Sequence, residues 1–90
     1  NFTRSKLHVL GSDRMKTKVR ELRTQFKMTQ LQLADLVHVS SRTIISIEKG
    51  QYSPSPMLAY RMARIFGVSV EELCCLEENM QMEEKQYENL

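Results

Sequence analysis

A chain of 90 residues with 41% hydrophobic letters can bury one small core and not two, which excludes a large catalytic pocket between domains. With 3 Gly, 2 Pro and 7% aromatic residues it lacks the turn-rich punctuation of an all-β sandwich, so an all-α domain is expected. The net charge of +2 is uneven: residues 1–14 carry three basic and one acidic group, residues 15–70 nine and three, and residues 71–90 one and seven. A basic body suits a polyanionic partner, and an acidic end has to point away from it.

No apolar run approaches the roughly 18 residues of a membrane-spanning helix, and nothing resembles a secretory signal, so a soluble, cytoplasmic protein is expected. Cys74 and Cys75 are adjacent and cannot staple a loop, and no His/Cys cluster accompanies them at zinc spacing. Neither a disulfide scaffold nor a metal site is expected, and no cofactor is implied. His8 and His38 have no ligand or nucleophile partner at useful spacing.

Asn1 to Arg14 has no helical period and passes through Gly11-Ser12 just before Met15. It reads as a flexible stretch, either a basic arm carrying Arg4, Lys6 and Arg14 or a remnant ahead of a native start at Met15. Val19, Leu22 and Phe26 then fall at helical spacing and predict a first helix over about Lys16 to Phe26. Thr29 with Gln32 is a capping box, and Met28 with Leu33 a hydrophobic staple, so a second helix runs from Gln30 to about Val37.

After His38 and Val39, Ser40 caps a third helix from Ser41 to about Lys49, which Gly50 stops in a left-handed conformation. Gln51 to Pro54 is a loop, and Ser55 caps a fourth helix that starts at Pro56, buries Leu58, Met62 and Phe66, and ends at Gly67. Ser69 with Glu72 repeats the capping box for a fifth helix over Val70 to about Leu76. One of Cys74 and Cys75 on that helix is expected to be buried as a small hydrophobe, with a redox switch through the other as an alternative. Residues 77–90 form an acidic tail, either frayed or helical. If the helix continued, Leu73, Leu76, Met80, Tyr87 and Leu90 would form a dimerising stripe, although Glu83 interrupts it.

The second and third predicted helices carry the functional signal, because a turn this short makes them cross steeply. Counted from Gln30, apolar Leu33, Val37, Val39, Ile44 and Ile47 fall at positions 4, 8, 10, 15 and 18, with small Ala34 at position 5. That is the spacing of a helix-turn-helix, whose second helix is presented to the DNA major groove. With Ile44 and Ile47 turned inward, Ser41, Arg42, Thr43, Ser46 and Lys49 are left on the exposed face. Arg42 is the candidate base reader, since a guanidinium binds O6 and N7 of guanine bidentately; Ser41, Thr43 and Ser46 specify less. Ile45 lies at the edge of that face, either touching a thymine methyl or partly buried.

The run from Met15 to Leu76 resembles the XRE-type, lambda-repressor-like helix-turn-helix domain of phage Cro and repressor proteins and of small bacterial or archaeal regulators. The likeness rests on Thr29-Gln30, Leu33-Ala34, Val39-Ser40, Ile44, Ile47-Glu48-Lys49-Gly50 and Phe66-Gly67-Val68. It implies a five-helix domain over residues 15–76, usually dimeric, that binds operator DNA. It also implies phosphate contacts from Gln30, Lys49, Gln51, Tyr52 and Ser53, and an inward ion pair between Glu48 and Arg23. His38 departs from the glycine common at its position, where the turn wants positive φ.

The expected function is a sequence-specific transcriptional regulator, a homodimer on double-stranded DNA that represses by occupying a promoter. The alternatives are the antitoxin of a toxin pair, whose acidic tail would engage a protein partner, and a protein-interaction module that no longer binds DNA. An enzyme is not expected, for want of a paired acid and base or a nucleophile.

Overall fold

Polar caps start four of the helices. Thr29, Ser40, Ser55 and Ser69 are all extended at the backbone, and each side chain accepts the N–H three residues on. The computed structural model describes residues 15–88. Among these the elements are α1 (Val19–Gln25), α2 (Gln30–Val37), α3 (Ser41–Glu48), α4 (Pro56–Phe66), α5 (Val70–Leu73) and α6 (Leu76–Glu88). The expectations for residues 1–14 and for Leu90 lie outside the described residues.

One core joins α1 to α5. Val19, Leu33, Ala34, Val37, Ile44, Ile47, Met62 and Leu73 are fully buried, and Leu58, Ala59, Ala63 and Phe66 nearly so. The first helix turns its predicted face inward unevenly: Leu22 only packs against the edge of the core, and Phe26 stays 47% exposed. Phe26 still sets its ring edge-on to Phe66, with centroids 5.3 Å apart.

Two glycine stops form as expected. Gly50, at φ 76°, and Gln51 send their N–H groups back to Ile47 and Ser46 carbonyls at 3.0 and 2.9 Å, the Schellman closure of α3. Gly67, at φ 70°, ends α4 in the same hand. A third left-handed residue, Lys27 at φ 57°, closes α1 with no glycine to announce it. There the Met28 N–H donates to the Arg23 carbonyl at 3.0 Å.

Three expectations are corrected. The first helix begins at Val19 rather than Lys16: the Lys16 carbonyl, which a helix starting there would give to the Arg20 N–H, accepts from Asn79 Nδ2 at 2.9 Å instead, and the N–H groups ahead of α1 are held from outside it. The Met15 N–H donates to Gly50 O at 3.1 Å, Lys16 N–H to Asn79 Oδ1 at 3.0 Å and Lys18 N–H to Leu73 O at 2.8 Å. The fifth helix ends at Leu73, and a sixth follows it instead of a continuous extension, because Cys75 takes φ 49° and breaks the path. Leu73 is thereby a core residue, out of line with Leu76, and the proposed stripe loses its first member. Finally, both cysteines are buried, not one, at the elbow between α5 and α6. Burial pushes both thiols up from their ordinary value, which makes them poor nucleophiles at neutral pH.

The Ser69 box is also only half made: its hydroxyl accepts the Glu72 N–H at 3.0 Å, while the Glu72 side chain stays exposed.

Asn79 holds the elbow. Its amide nitrogen lies 2.9, 2.7 and 3.0 Å from the carbonyls of Lys16, Cys74 and Cys75, two hydrogens shared among three acceptors. Asn79→Ala strips the Lys16 and Cys74 carbonyls and the Lys16 N–H of this partner, while the Cys75 carbonyl keeps the backbone N–H of residue 79 at 2.9 Å, and is expected to cost about 1–3 kcal/mol. Amide exchange should speed up in α6 while α2 and α3 keep their protection; equal acceleration throughout would refute a local role.

Candidate nucleic-acid interface

The α2–α3 pair is built around a three-residue turn in which His38 adopts φ 63°. The Val39 N–H reaches back to Ala34 O at 3.0 Å, and Ser40 then caps α3 through Thr43. Leu33, Ala34, Val37, Ile44 and Ile47 are all fully buried, so the spacing read from the sequence is the contact surface between the crossing helices. The histidine takes the conformation that glycine adopts without strain. His38→Gly is therefore expected to stabilise the domain by about 0.5–1 kcal/mol, measured by urea unfolding. A loss of stability would show that the imidazole contributes more than its backbone costs.

Because the core claims Ile44 and Ile47, the rest of α3 faces outward in a graded way. Arg42 and Lys49 are exposed, while Ser41, Thr43, Ile45 and Ser46 are half-buried. Thr43 is partly committed, its hydroxyl 3.2 Å from that of Ser40. Among the described residues Arg42 has no hydrogen-bond or ion-pair partner, which leaves its guanidinium available. Gln51 and Tyr52 are exposed in the loop after α3, and Ser53 beside them touches Met15 Sδ through its hydroxyl at 3.4 Å. Gly50 cannot be replaced cheaply at the head of this loop, because its φ of +76° strains any L side chain.

Glu48 turns inward as expected. Arg23 Nε donates to its carboxylate at 2.6 Å and Nη2 at 3.2 Å, a forked pair whose side chains are 12% and 5% exposed. Arg23 Nη1 also donates to the Met28 carbonyl at 2.8 Å, tying α1 to the chain entering α2. Gln30 joins the same network, its amide donating to Glu48 at 3.1 Å. That bond uses one amide hydrogen of Gln30, so its backbone N–H at the start of α2 is the group most open to an anion.

An open depression lies between α1, the start of α2 and the end of α3, lined by Arg20, Thr29, Gln30, Ile45 and Lys49 above the Arg23–Glu48 pair. Arg20 is the residue that sequence reasoning missed. The signal was present, since Arg20 lies one turn before Arg23 and shares its side of the helix. The structure thus brings Arg20, Gln30 and Lys49 to one depression, with Arg42 at the opposite end of α3. Among the described residues no group of three His, Cys, Asp or Glu could hold a metal ion. Likewise, no described helix is long and apolar enough to cross a membrane.

Comparison with known proteins agrees with this geometry. A family model described as helix-turn-helix matches residues 19–73. An uncharacterised HTH-type transcriptional regulator of Archaeoglobus fulgidus is 44% identical over 64 residues, 71% of this chain and 90% of its own. One from Bacillus subtilis is 42% identical over 64 residues, 71% of this chain and 97% of its own. The competence pilus inhibition repressor of Acinetobacter baylyi is 40% identical over 65 residues, covering 72% of this chain and 59% of the repressor. With the buried helix crossing, the left-handed turn and the Arg23–Glu48 pair where the resemblance had put them, the chain belongs to the XRE-type helix-turn-helix family.

Proposed function

We propose that this DNA-binding transcriptional regulator reads its operator with α3 in the major groove and represses by occupying a promoter. The observation that carries the reading is Arg42, a guanidinium that is exposed and, among the described residues, unpartnered, in the first turn of a helix whose other face is locked into the core. Residues at that end of a recognition helix reach base edges, and a guanidinium suits guanine. Ser41, Thr43 and Ser46 add weaker contacts beside it. Lys49, Gln51, Tyr52 and the N-terminus of α2 at Gln30 anchor phosphates, and Arg20 joins them from α1. Those contacts set register without reading sequence. Relatives named as transcriptional regulators and as a repressor support the sign of regulation.

The working unit is a homodimer in the cytoplasm, placing two copies of α3 in successive major grooves about 34 Å apart. The acidic C-terminal helix stays clear of the duplex, since its carboxylates would repel phosphate. The test is fluorescence anisotropy on a duplex from the gene's own upstream region against a scrambled duplex, across a salt series. Preference for the native duplex by about a hundredfold or more, with affinity falling steeply in salt, is expected. Absence of binding even at low salt would overturn the reading.

A further inference from the structure

Two helices carry faces that nothing among the described residues covers, and the two faces are opposite in charge. On α6, Leu76, Met80 and Tyr87 are 42%, 52% and 53% exposed. At about 100° per residue they fall within roughly 40° of one another. Exposed Glu77, Glu83 and Glu84 flank this stripe. The side of α6 turned to the body is a different one, made by Asn79 and by Glu78. The Glu78 carboxylate accepts from Lys16 Nζ at 2.8 Å, and that bond holds its pKa below the usual carboxylate range. Glu78 is thus already answered within the chain, and the carboxylates beside the stripe are not.

On α4, with Leu58, Ala59, Met62, Ala63 and Phe66 turned to the core, the outer face presents Met57, Tyr60, Arg61 and Arg64 at successive turns. The helix contains no acidic residue. Met57 and Tyr60 are 61% and 50% exposed, and Arg64 lies over the Tyr60 ring at 5.8 Å with a hydrogen bond to its hydroxyl at 3.4 Å. This is an apolar strip with a basic border. At 11 and 13 residues, α4 and α6 are about 16 and 20 Å long, so one can cover the other.

Building on the dimeric reading above, we propose that two copies associate by exchanging their C-terminal helices: α6 of each copy lies on the outer face of α4 of the other. Both faces are exposed within a single chain, so they are not on each other there. Pairing α6 with α6 would bring Glu77, Glu83 and Glu84 of both copies together, and pairing α4 with α4 would do the same with Arg61 and Arg64. The crossed pairing alone sets Met80 and Tyr87 on Met57 and Tyr60 with opposite charges at the border. It is made twice about a two-fold axis, the reciprocal arrangement of a closed dimer.

Sedimentation velocity at low salt tests this with two variants of the full chain, Arg61→Glu/Arg64→Glu and Glu83→Lys/Glu84→Lys. All four side chains are exposed, and an unchanged helical circular dichroism spectrum confirms that each variant folds. Either variant alone puts like charges on both of its contacts, so the dimer should weaken by about a hundredfold and sediment as a monomer. An equimolar mixture restores opposite charges at both contacts, and the dimer mass should return. Dimers that persist in each variant alone would overturn this interface and leave the dimeric regulator intact. Variants that stay monomeric when mixed would overturn the reciprocal exchange. A wild-type chain that is monomeric both free and on operator DNA would overturn the dimer itself.

Discussion

Arg23→Ala should be among the most damaging single changes in this domain, lowering stability by about 3–5 kcal/mol. The pair it breaks is forked, at 2.6 and 3.2 Å, and the Glu48 side chain is 5% exposed. Removing the guanidinium leaves Glu48 desolvated, with only the Gln30 amide at 3.1 Å to answer it, and also frees the Met28 carbonyl. For a domain of this size such a loss corresponds to a fall in Tm of about 12 °C or more. The double change Arg23→Met/Glu48→Leu should recover most of it, because replacing both partners strands no charge. Calorimetry on Arg23→Met, Glu48→Leu and the double closes the cycle. A single-mutant loss under about 1 kcal/mol would mean that water reaches the pair and screens it.

Arg42→Ala should leave the fold unchanged and reduce discrimination between operator and scrambled duplex by about 1–3 kcal/mol, between five- and a hundred-and-fifty-fold. The side chain is exposed and partnerless among the described residues, so stability has no reason to fall. Lys49→Ala provides the contrast. As a phosphate anchor it should weaken binding to both duplexes alike and lower the salt slope by about 1. If Arg42→Ala also weakened both equally, Arg42 would be an anchor and base reading would pass to Ser41, Thr43 or Ser46. Anisotropy titrations of the two variants at matched salt separate these outcomes.

Much of the architecture was legible because it is local. Thr29, Ser40, Ser55 and Ser69 announce helix starts through a hydrogen bond three residues long, and Gly50 and Gly67 announce stops through the one backbone conformation that suits them. The α2–α3 crossing was legible for a similar reason. Its buried residues recur at fixed offsets within 21 positions, and the short turn leaves few ways to pack them. The face of α3 followed from its two buried isoleucines, Ile44 and Ile47.

Contacts between residues distant in the chain decided the rest. Nothing near Cys75 announces a left-handed residue; the break is held by Asn79 together with Lys16, 63 positions away. The late start of α1 has the same cause, since the Lys16 carbonyl is taken by Asn79 and the N–H groups of Met15, Lys16 and Lys18 ahead of the helix are held by Gly50, Asn79 and Leu73. Arg20 gained its place in the depression only when α1 packed beside α3, and Gln30 was drawn to Glu48 where the start of α2 meets the end of α3. Caps, stops and apolar periods act within a turn or two of helix, so the residues by themselves determined the capped helix starts, the glycine stops and the α2–α3 crossing. Which backbone groups and charges remained free afterwards depended on the elements that met in space, and the tertiary structure alone decided that.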